Sequence, residues 1–176
     1  MNRHEKLLEI AKSQIGIKEE GADNQGKDIK KFQEAIDGKA QGESWCCGFA
    51  FWCIKQTDLW FDEQAKMSLS ERHTLFETEH CMTLYQKCKI TNLVKEPFPG
   101  CLIIWQFYKD GKQTPSGHIG IVTNVEGDKV HTIEGNTSDA ESVERNGGGV
   151  YAKKRSKVMN TGPMRVIAYL DPWKKN

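Results

Sequence analysis

The chain has 176 residues, 38% of them hydrophobic, which suits one ordinary core and makes two independent domains unlikely, so residues 1–176 are expected to form a single domain. Lys and Arg number 25 against 24 Asp and Glu, a formal charge of +1, which leaves no global field to recruit nucleic acid or an anionic membrane surface. No window approaches the roughly 18 consecutive apolar residues of a membrane span.

In chain order, Leu7, Leu8, Ile10, Ala11 and Ile15 recur at three- and four-residue spacing, which predicts an amphipathic helix over His4 to Gly16. Glu19 to Gly26 reads as a loop. Ile29, Phe32 and Ile36 repeat the helical period over Lys27 to Ile36, and Asp37-Gly38 ends it. After a turn-rich stretch, Ser44 is a good N-cap for a buried helix over Trp45 to Gln56, which is largely apolar all round. Ser68 or Ser70 is a candidate cap for a further helix, and Glu79 to Lys89 continues with Met82, Tyr85 and Cys88 on one face. Beyond Pro97-Phe98-Pro99-Gly100 the texture turns to β-rich runs: Cys101 to Tyr108, His118 to Glu126 and Lys129 to Ile133, then Val150 to Lys154 and Arg165 to Leu170. Asp110-Gly111, Pro115-Ser116-Gly117 and Gly127-Asp128 divide these runs, and Gly127-Asp128 predicts a hairpin. Helices followed by hairpin-linked strands predict an α+β domain with an antiparallel sheet.

Six cysteines, Cys46, Cys47, Cys53, Cys81, Cys88 and Cys101, are the most informative count. The N-terminal residues run straight into a charged amphipathic segment, so no signal peptide is expected, and cytoplasmic synthesis makes free thiols the default. Cys46 falls in the first turn of a buried helix, where the helix dipole and unpaired N–H groups favour a thiolate nucleophile; the plainer alternative is a small buried hydrophobe. His118 opens a predicted strand between glycines. The hairpin brings it near Glu134 and Asn136, whose period-two spacing puts both on one face. A cysteine nucleophile needs a base, and that imidazole needs a polar group to fix its tautomer, a role open to either residue.

The order Cys46, His118, Glu134 and Asn136 resembles the CHAP family of cysteine, histidine-dependent amidohydrolases/peptidases. The resemblance runs from about Leu7 to Leu170 and rests on Ile15-Gly16-Ile17-Lys18-Glu19 with Asn24, Trp45-Cys46 with Phe49 and Trp52-Cys53, Pro99-Gly100, Gly117-His118-Ile119-Gly120-Ile121-Val122, and Ile133-Glu134-Gly135-Asn136-Thr137-Ser138. It implies a papain-like fold and hydrolysis of amide bonds in the peptide part of bacterial peptidoglycan through an acyl-enzyme. By position Cys46 is the nucleophile because it follows tryptophan, His118 is the base and then acid, Glu134 orients it, and Asn136 assists. The backbone N–H of Cys46 is one oxyanion donor, with Gln41 and Asn24 competing for the second. On this assignment Cys46→Ser abolishes hydrolysis and Cys47→Ser spares most of it. Trp45 is expected to wall the substrate site.

Some members of the family bind calcium just before the catalytic cysteine, but here only Glu43 and Asp37 offer carboxylates, so no metal and no cofactor are expected. Zinc is poorly served too, since no Cys-x2-Cys occurs and His80-Cys81 with Cys88 lacks a fourth ligand. The run Lys153-Lys154-Arg155 with Lys157 reads as a solvated face. The resulting expectation is a peptidoglycan amidase or endopeptidase, an endolysin or similar lysin without a separate wall-binding domain. It would reach the wall through a holin or another delivery protein, with no nucleic-acid partner and no stable membrane insertion. A catalytically silent wall-binding module and a thiol redox protein are the alternatives.

Overall fold

A computed structural model describes residues 1–65, 72–139, 148–158 and 160–174. Among the described residues four α-helices precede or flank a sheet: α1 (Arg3–Ser13), α2 (Lys27–Asp37), α3 (Cys46–Ala65) and α4 (Cys81–Lys87), with β1 (Leu93–Val94), β2 (Leu102–Lys109), β3 (Lys112–Glu126), β4 (Lys129–Thr137), β5 (Gly149–Ser156) and β6 (Met164–Leu170). All strand pairs are antiparallel, in the order β1-β6-β2-β3-β4-β5. The α+β class and the Gly127-Asp128 hairpin are as the sequence predicts, with Glu126 facing Lys129 across the turn. The last strand returns to pair with β2, a long-range closure that local pattern does not encode.

Two helix ends have a clear local cause. Asn2 caps α1 in a reciprocal capping box with Glu5, and Gly38 ends α2 in the left-handed region at φ 79°. Helix α3 begins at Cys46, one residue later than a Ser44 cap would set it. Trp45 takes the position before the first turn: its carbonyl accepts from the N–H of Phe49 at 2.8 Å, and its ring stacks on Phe32 at 5.4 Å. The helix also runs on to Ala65, well beyond Gln56. In α4 the buried face is Cys81 and Leu84, with Tyr85 exposed, so the stripe is offset by one residue from the predicted Met82, Tyr85 and Cys88. Ser68 and Ser70 lie outside the described residues.

Strand alternation divides β2 between two cores. Leu102 and Ile104 pack with Ile119, Ile121 and Ile133 against the helices, while Ile103 and Trp105 pack with Val122 and Val130 on the other face. Gly48 permits the close crossing of α2 and α3, because a Cβ there would stand 2.3 Å from the carbonyl oxygen of Phe32.

Pro115-Ser116-Gly117, expected to divide two strands, instead lies inside β3. The register slips between Gln106 and Tyr108 of β2, which leaves the proline in a bulge where its missing N–H removes no ladder bond. Thr114 closes the bulge by donating to the Phe107 carbonyl at 3.0 Å. Among the described residues no helix is long and apolar enough to cross a membrane.

Candidate active site

The first turns of α3 and α4 abut the middle of β3 at His118, which lies inside the strand rather than opening it as expected, and a cleft of about 160 Å³ opens between them. Ser44, Cys46, Glu79, His80, Cys81, Phe107, Pro115, Gly117, His118 and Asn136 border it. Residues as far apart as 46 and 136 in the sequence therefore meet at one opening.

Cys46 and His118 both border this cleft, close enough that each acts on the other's charge: the imidazole lowers the thiol and the thiol raises the imidazole. His118 Nε2 stands 3.0 Å from Glu134 Oε2, which leaves Nδ1 as the nitrogen for the thiol. The imidazole lies nearly parallel to Trp105, its cross-strand partner, with ring centroids 5.7 Å apart. Two glycines make this packing possible. A Cβ on Gly117 would meet the Trp105 carbonyl oxygen at 2.5 Å, and one on Gly120 would meet Glu134 Cγ at 3.0 Å and the Trp105 ring at 3.3 Å.

Glu134 is fully buried, and every approach to it is a donor. Arg155 grips it in a fork, Nε to Oε1 at 3.0 Å and its terminal nitrogen to Oε2 at 2.7 Å, and Thr132 donates to Oε1 at 2.6 Å. Bidentate charge-assisted bonds of this kind are among the stronger ones a carboxylate accepts. Burial works against the Glu134 charge, but His118 and Arg155 overcome it and hold the carboxyl down at about 2. Burial likewise works against a charged His118, and the bonds from Cys46 and Glu134 overcome it, raising the imidazole to about 9.

At Cys46 the hydrogen bonds from Cys47 and Cys81, joined by His118, outweigh burial and carry the thiol well below its ordinary value. Cys47 and Cys81 are pushed up, chiefly by the same bonds to Cys46. Elsewhere burial dominates: it raises Cys53 strongly and lifts Cys101 to about 12. A nucleophile needs a thiolate at working pH, and among the six thiols this environment belongs to Cys46.

Asn136 reaches the cleft by a different route from simple alternation. The β4–β5 register slips between Glu134 and Thr137, and Asn136 takes φ 55°, so it borders the opening while Glu134 stands behind His118. Gln41 and Asn24 lie together in a separate depression with Gly42 and Gln33, away from the cleft. Trp45 is also displaced from its expected place: it is 1% exposed, belongs to the core and donates from its indole to Glu19 at 2.8 Å.

Two parts of the arrangement are absent from a linear reading. Arg155 belongs by sequence to a solvated basic run, yet it is buried on Glu134, because β-alternation turns Lys154 outward and Arg155 inward. The inward side of that alternation, next to a buried carboxylate, was the available signal. Cys47 and Cys81 form a thiol group around Cys46 that spacing along the chain does not reveal.

A family model described as the CHAP domain matches residues 38–136. Comparison with curated proteins and with solved structures gives no match.

Proposed function

The chain belongs to the CHAP-domain family of cysteine, histidine-dependent amidohydrolases and peptidases, and we propose that it hydrolyses amide bonds in the peptide part of bacterial peptidoglycan. The observation that carries this reading is the line from Cys46 through His118 to Glu134, a nucleophile, a proton carrier and a charged orienter at one cleft.

The reaction begins with Cys46 as thiolate and His118 as imidazolium. Sulfur attacks the amide carbon, and the oxyanion develops toward the backbone N–H of Cys46 at the first turn of α3. His118 gives its Nδ1 proton to the leaving amine as the carbon–nitrogen bond breaks, which leaves a thioester on Cys46. The neutral imidazole then takes a proton from water, the hydroxide equivalent attacks the thioester, and the acid product leaves with the thiolate and imidazolium restored. Glu134 keeps the Nε2 proton and stabilises the imidazolium throughout. Arg155 and Thr132 keep Glu134 ionised and aimed, and Asn136 assists from the cleft wall.

Either the N-acetylmuramoyl-L-alanine amide or a peptide cross-bridge is a suitable bond. We propose an endolysin-type role, with a holin or another delivery protein bringing the chain to the wall. Mass spectrometry of purified wall digested by the wild type and by Cys46→Ala tests the reading. New muramic-acid termini identify an amidase, and opened cross-bridges identify an endopeptidase. Digests that do not differ between the two proteins overturn the enzyme reading.

A further inference from the structure

Three thiols converge at the cleft. The Cys81 sulfur stands 3.1 Å from that of Cys47 and 3.6 Å from that of Cys46, and the three sulfurs all lie within 4.8 Å of one another. None of them is in a disulfide. They come from two separate helix starts, which is why spacing along the chain does not reveal the group.

The geometry points to a thiophilic metal site, in which Cys46, Cys47 and Cys81 bind a Zn²⁺-class ion, His118, which borders the same cleft but stands outside the group of mutually close sulfurs, moves in through Nδ1 as the fourth ligand, and the bound ion keeps the nucleophile from reacting. A tetrahedral ion with metal–sulfur bonds of about 2.3 Å holds its ligand sulfurs about 3.8 Å apart, close to the spacing already present. Two of the thiols, Cys46 and Cys81, border the open cleft together with His118, which supplies an entry path. Three sulfurs and one imidazole are a donor set that prefers soft ions over calcium or magnesium.

The outer shell fits as well. A metal-bound histidine commonly donates its other ring nitrogen to a carboxylate, which fixes the ring and strengthens the ligand. His118 meets Glu134 in this way at 3.0 Å, and Arg155 and Thr132 hold Glu134 in turn. The same carboxylate that steadies the imidazolium in catalysis would thus steady the imidazole as a ligand. Each group ligates in its deprotonated form, so binding releases protons to solvent and changes no oxidation state.

Cobalt(II) added to the reduced, full-length chain tests the site without any substrate, so the outcome is separable from that of the hydrolase reading. One ion per chain is expected, with the visible bands of tetrahedral cobalt and sulfur-to-cobalt charge transfer, displaced stoichiometrically by Zn²⁺. Glu134→Gln should weaken Zn²⁺ binding by roughly 10–100-fold, and Cys81→Ser by more than that. Cys88→Ser, whose sulfur lies outside the cluster, should bind as the wild type does. A wild-type spectrum without tetrahedral thiolate bands overturns the site even if a variant fails to fold. So does a folded Cys81→Ser chain that binds Zn²⁺ as tightly as wild type. A chain that binds cobalt as described but releases nothing from purified wall keeps this site and overturns the proposed function instead.

Discussion

Two buried carboxylates in this molecule have nearly the same surroundings, and on the proposed function they have opposite uses. Asp58 in α3 is 3% exposed and Glu134 in β4 is 0% exposed, and each is held by an arginine at 2.7 Å. The difference lies in the remaining partners. Asp58 accepts from the Trp173 indole at 2.8 Å and the His73 backbone N–H at 3.0 Å, donors that hold their protons permanently. It ties the start of α1 and the C-terminal segment to α3. Glu134 accepts from an imidazole that borders an open cleft together with the Cys46 thiol. Burial and an ion pair alone therefore do not mark a functional carboxylate; a partner that can gain and lose a proton within reach of solvent does.

The widest separation between the two should come from neutralising each. Glu134→Gln should lower kcat/KM by up to about 10⁴-fold, the scale seen when a triad's orienting carboxylate is lost. It should also move the alkaline limb of the pH profile down from about 9, because the bond and charge that raise His118 are gone. Asp58→Asn should leave kcat/KM per folded molecule unchanged and cost about 1.5–3 kcal/mol of stability through weakened charge-assisted bonds, read by urea unfolding. Equal losses of activity in the two variants would dissolve the comparison.

Arg155 sharpens it next. Arg155→Met leaves a buried carboxylate without its forked partner and should cost about 3–5 kcal/mol. A purely structural arginine would do no more than that. Here the acid limb of activity should also move to higher pH, because Arg155 helps hold Glu134 down at about 2.

Stability should follow pH with a definite sign at each group. His118 rises from an ordinary 6.5 to about 9 in the folded chain. Its contribution is thus fully present below about 6.5 and is lost as pH climbs through about 9. Glu134 contributes above its ordinary 4.5, and that contribution is lost as pH falls toward about 2. Urea midpoints measured across pH should show the alkaline loss in the wild type and a reduced loss in His118→Gln.

The smallest effect is expected at Gly120. Gly120→Ala brings a Cβ to 3.0 Å from Glu134 Cγ, and overpacking of this kind costs about 1–3 kcal/mol. Since the crowded atoms belong to Glu134 and Trp105, activity should fall along with stability.

Much of this was legible in the sequence. The helices and hairpins follow from periodicity and turn residues, and motif order singles out Cys46, His118 and Asn136, which border one cleft, with Glu134 behind His118. What was not legible depends on register and on distant closure. Arg155 looks like its lysine neighbours until the strand faces are known, and Cys81 joins Cys46 only when α4 docks against β3. Gln41 and Asn24 are near the nucleophile in sequence and stand in another depression in space. Trp45 precedes the nucleophile and turns into the core, because a position just before a helix start can direct a large ring onto the neighbouring helix, here onto Phe32.

The charged Cys46–His118 pair is the centre of the account, and the pH dependence of alkylation at each cysteine, resolved by peptide mass spectrometry, tests it most directly. Cys46 should react first, at a rate already high at neutral pH, while Cys47 and Cys81 stay protected until alkaline pH. Modification of Cys47 ahead of Cys46, or a Cys46 rate that rises only around an ordinary thiol's pKa of about 8.5, would contradict it.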